Sequence, residues 1–388
     1  MNTVATNQQK KHSMLAALSH DDNARQNFVR NLKLYLAQNI SPRNRDVYES
    51  RVKPRLGSDP GLQDVEKEMY REDYFRFWSS MQRTSQELMW SSVQVPVERQ
   101  AAELSEKFKK IASDEPIGSL SLNSDLKIPK YHTAVDIHCM PGGYHSDFMP
   151  DDVSAGAIYD LGVYIYSMGR MGPLNDDIGA STAKWLKENH PGFKPKKILD
   201  MGCSVGHSTL AWAEYYPEAE IHAIDVGAPV LRYAHARAEA LGVKIHYHQM
   251  NAENLDFDNE EFDVITGSIL MHETSTSASK HIFKECNRVL KKDGVVLMGE
   301  TPPYKDLDTY DAFMLDWDTR NNNEPFWRAS HKIEPSVALS DAGFASEKVL
   351  EILAPSAFEA NLKERYTHVF QGGDFGGAGQ WYVYGAWK

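Results

Sequence analysis

The spacing of hydrophobic positions divides the chain into two parts. Up to about residue 112, apolar side chains recur every three to four residues across the stretches 21–38, 61–93 and 97–111, which predicts amphipathic helices. From Pro195 onward, short apolar runs alternate with segments of helical length. Alternation of this kind predicts a parallel sheet with helices on both faces. The pattern therefore indicates a mainly helical N-terminal part followed by an α/β part.

Seven apolar runs in the second part have the length of strands. Five are consecutive: KKILDMG, AEIHAIDV, KIHYHQM, FDVITGS and GVVLMGE. Two more, at 345–353 and 380–387, lie near the C-terminus and are expected to form an antiparallel edge of the same sheet. Further helices are predicted at 153–166, 177–188, 208–216, 229–241, 278–290 and 335–342.

The length of 388 residues exceeds the usual size of one domain, so we expect two units. Residues 1–175 would form a mainly helical N-terminal domain or cap, with an irregular loop at 113–152 that is rich in proline and glycine. Residues 176–388 would form the α/β domain, with an aromatic-rich insertion at 301–330. The insertion is either the core of a small cap or one wall of a pocket for a small molecule.

The composition argues against several classes of partner and site. The 54 acidic and 42 basic residues give a net charge of −12, which argues against nucleic acid as a partner, because phosphate backbones are bound by clustered Lys and Arg. The three cysteines lie far apart without a CxxC pair, so neither disulfides nor structural zinc are expected. An apolar signal core and an apolar run of about 18 residues are both lacking, so we expect a cytoplasmic protein without a membrane partner.

A glycine-containing turn follows the first strand run. It reads Asp200-Met-Gly202-Cys-Ser204-Val-Gly206, and in doubly wound sheets ligands bind at such carboxyl ends of strands. Asp225 ends the second strand run about 25 residues later, where an acid commonly binds a ribose. The carboxylate of Asp200 suits a cationic ligand and would repel a pyrophosphate. The pattern therefore favours a positively charged, phosphate-free nucleoside over a dinucleotide.

Five segments in order resemble the successive motifs of class I S-adenosylmethionine (SAM)-dependent methyltransferases. They are ILDMGCSVGHST, AIDVG, QMNAENLDF, FDVITGSILMHE and ECNRVLKKDGVVLMGE. The resemblance covers residues 196–300 and extends more loosely to residue 388. Its nearest form is that of small-molecule enzymes related to ubiquinone and menaquinone biosynthesis. It implies a Rossmann-like fold and SAM as cofactor.

The resemblance also implies which residues bind the methionine and ribose parts of SAM. Asp200, Gly202 and Gly206 would line the methionine end. Ser268, at the end of the fourth strand run, would face the methionine portion. Asp225 would accept hydrogen bonds from both ribose hydroxyls.

Five further positions follow from the same resemblance. Val226 would pack on the adenine, and Asn251 and Ala252 would lie against its edge. Asn251 stands where the family usually has Asp, but its amide oxygen can still accept from the adenine amino group. Ser204 replaces the commonest middle glycine of the turn. Arg170, upstream of the first strand, could pair with the carboxylate of SAM.

His272 is the candidate general base. A base is needed only when the acceptor carries a proton at neutral pH. His272 follows the fourth strand run, in a loop that borders the methyl group in the family, and similar loops in methyltransferase domains of polyketide synthases carry a catalytic histidine. Glu300 or Glu273 could orient its ring. The alternative is that His272 only shapes the pocket.

The histidine-containing segment 131–147 matches no standard metal site, so no metal is expected. It is interpreted either as a lid or substrate-contacting loop, or as a structural linker. Its Pro-Gly-Gly sequence is typical of turns.

Together these patterns predict a SAM-dependent methyltransferase acting on a small or medium organic acceptor. The N-terminal helices would supply part of the acceptor pocket, a homodimer surface, or both. Two alternatives remain open: a methyltransferase for a protein or carrier-bound acyl group, and a non-catalytic SAM-binding regulator. An NAD-dependent dehydrogenase is disfavoured by the acid at Asp200.

Overall fold

An eight-stranded mixed sheet forms the centre of the protein. The structure is a computed structural model in which residues 8–358 and 379–388 are described. The strands lie in the order β1-β4-β3-β2-β5-β6-β8-β7. Their bounds are β1 Ser119–Ser121, β2 Lys197–Met201, β3 Glu220–Asp225, β4 His246–Gln249, β5 Phe262–Ser268, β6 Leu290–Glu300, β7 Val349–Pro355 and β8 Gln380–Trp387.

The sheet changes from parallel to antiparallel at its C-terminal edge. From β1 to β6 all neighbouring strands run parallel, whereas β8 runs antiparallel to both β6 and β7. The direction of the strand order reverses at β2, whose neighbours are β3 on one side and β5 on the other. The predicted fold class, a Rossmann-like methyltransferase sheet with an antiparallel C-terminal edge after a mainly helical part, is confirmed.

Helices surround the sheet and make up most of the N-terminal part. In chain order they are α1 His20–Tyr35, α2 Arg43–Val47, α3 Leu62–Met69, α4 Asp73–Arg99, α5 Ala101–Ser113, α6 Lys130–Thr133, α7 Ser154–Tyr166, α8 Asp177–Asn189, α9 His207–Tyr215, α10 Ala228–Ala240, α11 Thr276–Val289, α12 Thr309–Leu315, α13 Trp317–Asn321, α14 Trp327–Ser330 and α15 Pro335–Asp341. None of the helices in the described ranges combines the length and apolarity that a bilayer crossing requires.

The strand β1 lies inside the segment predicted to be irregular. It pairs with β4 through Ser119 and His246, and the Ser119 amide donates to the Ile245 carbonyl at 3.1 Å. The preceding Gly118 allows this approach, because a Cβ there would collide with the same carbonyl. Three residues are too few to leave an alternating apolar pattern, so the sequence does not reveal this strand.

Alternate side chains of the strands enter two cores. In β2, Ile198 packs with α8, α9 and α10 on one face, whereas Leu199 packs with α11 and α15 on the other. Both residues are fully buried. This burial on two faces explains why the parallel strands appear as short continuous apolar runs.

The N-terminal helices pack on the α/β part through two further cores. Helices α1, α4 and α5 share one apolar cluster with α7 and α10. The aromatic insertion forms the other, in which Phe313 and Trp317 contact Phe75 and Trp78 of α4. The Trp317 indole donates to Ser79 Oγ at 2.8 Å. Aromatic side chains of the insertion therefore share a buried core with α4.

A buried carboxylate joins the chain's N-terminal segment to α7, α9 and α10. Asp160 accepts from Tyr233 at 2.9 Å and lies 2.8 Å from His207 Nε2, 3.1 Å from His12 Nε2 and 3.3 Å from Arg237 Nε. Burial alone would raise the pKa of Asp160, but Arg237 and the two histidines hold it well below its usual range. The boundary near residue 175 remains a prediction.

Candidate active site

The turn after β2 has a backbone shape that few residues adopt. Gly202, Ser204 and Gly206 have positive φ values of 66°, 46° and 77°. A side chain at Gly202 would place its Cβ 2.6 Å from the Leu270 side chain. Ser204 takes the left-handed conformation despite its side chain, which costs roughly 1–2 kcal/mol. The turn therefore has the left-handed backbone conformation that usually requires glycine, even at Ser204, which stands in place of the middle glycine.

Asp225 at the end of β3 is held against this turn. Its Oδ2 accepts from the Ser204 amide at 2.9 Å, and its Oδ1 accepts from the Gly227 amide at 2.8 Å. Burial raises the pKa of Asp225, and the backbone donors only partly oppose this effect. The carboxylate is thus oriented by two amides while a further lone pair on each oxygen can accept from a ligand.

Asp200 at the end of β2 is buried with one oxygen unpaired. Its Oδ2 accepts from the Thr209 hydroxyl at 2.5 Å, but its Oδ1 has no partner among the described residues. The side chain is only 1% exposed, and this burial raises its pKa to about 7, opposed by Thr209 and reinforced by Asp225. Ser204 Oγ is also buried and has no hydrogen-bond partner within residues 8–358 and 379–388. These atoms fit the amino group and hydroxyls of a nucleoside-linked amino acid such as SAM.

Two adjoining cavities of about 150 Å³ and 100 Å³ open on either side of the turn. Both are lined by Tyr159, Gly202, Ser204, Ser268 and Ile269. Asp200 and Arg170 line the first cavity only. Asp225, Val226, Asn251 and Ala252 line the second only.

The structure thus brings nine of the ten predicted cofactor residues to the walls of these cavities. The tenth, Gly206, lines neither and instead begins α9, where a Cβ would lie 2.5 Å from the Tyr247 hydroxyl. Asn251 Oδ1 already accepts from the Glu253 amide at 2.9 Å, which leaves one lone pair for a ligand. The roles given to these residues remain predictions.

His272 lies behind the cavities in contact with Glu300. Its Nδ1 is 3.0 Å from Glu300 Oε2, and Glu300 Oε1 accepts from the Met271 amide at 2.7 Å. The His272 side chain is 0% exposed and lines neither cavity. Its Nε2 lies 3.5 Å from Glu324 Oε2. Trp327 packs edge-on against the imidazole, with ring centroids 4.8 Å apart.

His138, Glu273 and Tyr144 connect His272 to the cavities. His138 lines the first cavity, and Glu273 and Tyr144 line the second. The Tyr144 hydroxyl bonds to His138 Nδ1 and lies 3.4 Å from Glu273 Oε1. His138 Nε2 lies 3.3 Å from Glu324 Oε1. A polar cluster therefore extends from the cavities to the buried His272.

Burial and the attraction between the histidines and the glutamates together set the pKa values in this cluster. Burial would lower the pKa of His138, but Glu324 and Glu273 raise it to about 9. Burial likewise opposes a charge on His272, yet Glu300 and Glu324 raise its pKa. The pKa of Glu273 is raised by burial, against the effect of the two histidines.

Three members of the cluster, His138, Tyr144 and Glu324, were missed as site residues by sequence reasoning. Glu324 follows three asparagines in the insertion and belongs to no known motif. His138 lies in the segment 131–147, and its carbonyl accepts from Trp90 Nε1 at 2.7 Å and from Gln86 Nε2 at 3.2 Å. These contacts with α4 hold its backbone beside the site. The density of histidines in that segment was the one available indication.

Comparison with known proteins finds similarity over the part of the chain that forms β2 to β6. Residues 198–294 match the model of a methyltransferase domain. The ubiquinone biosynthesis O-methyltransferase of Pseudomonas aeruginosa is 31% identical over 127 residues, which are 32% of this chain and 52% of that protein. The demethylmenaquinone methyltransferase of Thermus thermophilus is 31% identical over 109 residues, which are 28% of this chain and 49% of that protein.

A solved structure from Nostoc punctiforme PCC 73102 covers 95% of this chain and 96% of its own, at 15% identity and a TM-score of 0.44. The chain spans about half the length, or less, of the curated relatives that it matches.

The matched region contains the parts from which the site is built. It begins at Ile198 in β2 and ends at Gly294 in β6, so it includes the glycine turn and Asp225. The turn and the two acids stand at the point where the strand order reverses. The part of the chain that is similar to a methyltransferase domain is therefore the part that carries the candidate site.

Proposed function

We propose that this protein transfers the methyl group of SAM to a small or medium organic acceptor. The observation that carries the proposal is the pair of buried carboxylates, Asp200 and Asp225, at the ends of adjacent strands beside two adjoining cavities. Negative charge at both points suits a ligand with a cationic amino group and a ribose, and disfavours a phosphate.

The cavities contain candidate binding residues for both the methionine end and the nucleoside end of SAM. The unpaired Oδ1 of Asp200 would bind the amino group, and Arg170 in the same cavity would pair with the carboxylate. Asp225 would accept from the ribose hydroxyls, with Val226 and Ala252 against the adenine. When bound, SAM supplies a methyl group on a positively charged sulfur. Such a transfer depends mainly on positioning of the acceptor.

The first cavity supports an acceptor that is small and partly apolar. Its walls away from the turn are formed by Trp90 of α4 and by Val163 and Tyr166 of α7. Gln86 and His138 add polar groups at this end. A mainly apolar pocket with few polar groups is typical of sites for small molecules. The N-terminal helices would thus contribute to acceptor binding.

We assign activation of the acceptor to His272. The simplest such role is that of a general base. Glu300 holds Nδ1, so Nε2 is the nitrogen available for a proton. Because His272 is fully buried, the proton would reach it by way of His138 or Glu273, which line the cavities. The raised pKa of His272 allows it to keep a proton once it has been taken up.

The proposal is tested by incubating the protein with methyl-labelled SAM and a metabolite extract, followed by mass spectrometry. We expect the label on one small compound, and a loss of labelling of about 100-fold or more in His272→Ala. The exposed His281→Ala serves as the matched control.

Other outcomes would contradict the proposal. Label on a protein or carrier would indicate a macromolecular acceptor. Binding of S-adenosylhomocysteine without transfer to any compound would indicate a SAM-binding regulator. Failure to bind S-adenosylhomocysteine would exclude both the proposed function and the regulator.

A further inference from the structure

Two histidines and two glutamates converge beside the cavities. One ligand atom each of His138, His272 and Glu273 lies within 4.8 Å of the other two. Glu324 lies beside this group, with Oε1 3.3 Å from His138 Nε2 and Oε2 3.5 Å from His272 Nε2. The four residues come from three separate segments of the chain. Their meeting is therefore a property of the tertiary structure.

Two of the converging atoms are buried without a hydrogen-bond partner. His272 Nε2 and Glu324 Oε2 have none within the part of the chain that the structure describes, although both side chains are 0% exposed. Their separation of 3.5 Å is too long for a good hydrogen bond. A buried polar atom left unpaired costs about 1–3 kcal/mol. A further group that binds both atoms would remove this cost.

The residues behind these atoms have the arrangement found around bound metal ions. Glu300 contacts Nδ1 of His272 and thereby directs Nε2 toward the centre of the cluster. Asn322 donates to Glu324 Oε1 at 2.8 Å. A histidine that binds a metal usually donates its other ring N–H to a carboxylate, which fixes its tautomer and orientation.

The types of donor indicate which ions would bind. Imidazole nitrogen combined with carboxylate oxygen suits divalent transition metals, whereas magnesium and calcium prefer oxygen alone. Donors about 2.1 Å from an ion are at most about 4.2 Å apart. Because the three atoms of His138, His272 and Glu273 already lie within 4.8 Å of one another, binding would need them to approach by at most about 0.6 Å.

From these observations we infer that His138, His272 and Glu273 bind one divalent transition-metal ion beside Glu324, and that this ion holds a hydroxyl or enol oxygen of the methyl acceptor. His138 lines the first cavity and Glu273 the second, so the ion would lie where the two cavities adjoin. The part of the inference that concerns the acceptor rests on the proposed function. The metal site itself does not.

The ion would perform the activation that His272 otherwise performs as a base. An oxygen bound to a divalent ion loses its proton more readily, and this proton passes to solvent. The freed oxygen lone pair forms the bond to the methyl carbon while the carbon–sulfur bond breaks, and S-adenosylhomocysteine leaves uncharged. His272 Nε2 is then a ligand, and Glu300 is a positioning residue. The reaction needs no oxidant or reductant.

The test measures metal binding directly. The full chain, without a histidine tag, is stripped with a chelator, loaded with Mn²⁺ or Co²⁺, and analysed for bound metal after gel filtration. We expect one ion per chain, and Co²⁺ absorption bands that report nitrogen ligands. His272→Ala and Glu273→Gln should abolish stoichiometric binding, and Glu300→Gln should weaken it about 10–100-fold.

His281→Ala is the matched control, because this exposed histidine also contacts a glutamate, Glu253. It should bind metal like the original protein. Thermal unfolding of each variant shows whether it folds, and Glu273→Gln remains informative if His272→Ala does not.

Protein that binds S-adenosylhomocysteine but no Mn²⁺ or Co²⁺ above the level of the Glu273→Gln variant would overturn the inference and leave the proposed function intact. Stoichiometric metal without any methyl transfer would support the site and overturn the proposed function.

Discussion

The backbone amide of Ser204 donates to Oδ2 of Asp225 at 2.9 Å, which ties the turn after β2 to the end of β3. Ser204 holds a left-handed conformation with φ of 46°, and the hydrogen bond to the carboxylate compensates for part of its strain. The same carboxylate lines the cavity proposed for the ribose. The shape of the turn and the recognition of the nucleoside therefore depend on one side chain.

Replacement of this carboxylate should weaken cofactor binding. In Asp225→Asn the amide keeps one acceptor but loses the charge, and a hydrogen bond to a charged group contributes about 1.5–3 kcal/mol. We expect the dissociation constant for S-adenosylhomocysteine, measured by calorimetry, to rise about 10–100-fold. Replacement of the exposed Asp256 by Asn is the control and should change this dissociation constant less than twofold. Unchanged binding in Asp225→Asn would contradict the assignment of the ribose site.

Cofactor affinity should depend on pH through Asp200. Its pKa is raised by burial to about 7, so below this pH the carboxyl is mostly protonated and must lose its proton to bind a cationic amino group. Affinity should therefore be greatest above pH 7 and fall by about tenfold between pH 8 and pH 6.

Calorimetry in two buffers of different ionisation enthalpy should detect release of about one proton at pH 6. Asp200→Asn should bind more weakly and lose this proton release. A constant affinity from pH 6 to pH 8 would show that Asp200 does not contact the amino group.

Stability should depend on the buried charge of Asp160. In Asp160→Asn the guanidinium of Arg237 loses its carboxylate partner in a buried environment, which typically costs about 3–5 kcal/mol. We expect urea unfolding to show a decrease of this size in the free energy of unfolding. The exposed Asp114→Asn is the control and should change it by less than about 0.5 kcal/mol. A decrease below 1 kcal/mol in Asp160→Asn would mean that the network contributes little.

Close packing of α7 on α4 should make Gly162 sensitive to a single methyl group. A Cβ at this position would overlap the indole of Trp90, which lines the first cavity. Overpacking of this kind costs about 1–3 kcal/mol, more than alanine gains in a helix. Gly162→Ala should therefore lower the free energy of unfolding, with S-adenosylhomocysteine affinity changed less than twofold. Gly192→Ala is the control, because a Cβ at Gly192 would meet open space, and it should leave the free energy of unfolding unchanged. Equal stability of the two variants would show that Gly162 does not pack tightly against Trp90.

The part of the fold built from local patterns was predictable. The strands β2 to β6 are buried apolar runs, and the turn with Gly202 and Gly206 follows the first of them. In a parallel sheet, consecutive strands with intervening helices bring their carboxyl ends to one edge. The meeting of Asp200 and Asp225 therefore follows from the sequence once the alternation is recognised.

The polar cluster was only half predictable. The contact of His272 with Glu300 joins the ends of two neighbouring strands, β5 and β6, and follows from their order. The approach of His138 and Glu324 depends instead on how the cap packs on the sheet. His138 lies in a single 3-10 turn, Ile137–Cys139, and Glu324 lies in a loop, so no repeating pattern in the sequence predicts the position of either side chain.

The short strand β1 has a consequence for how the protein can be divided. It contributes only the residues 119–121, yet it covers the outer backbone groups of β4. A shortened chain that begins after β1 would leave β4 as an uncovered edge with unpaired amides and carbonyls, which is a template for association with other chains. We therefore expect the N-terminal half to protect the α/β half against aggregation, and expression of the α/β half alone should give insoluble protein.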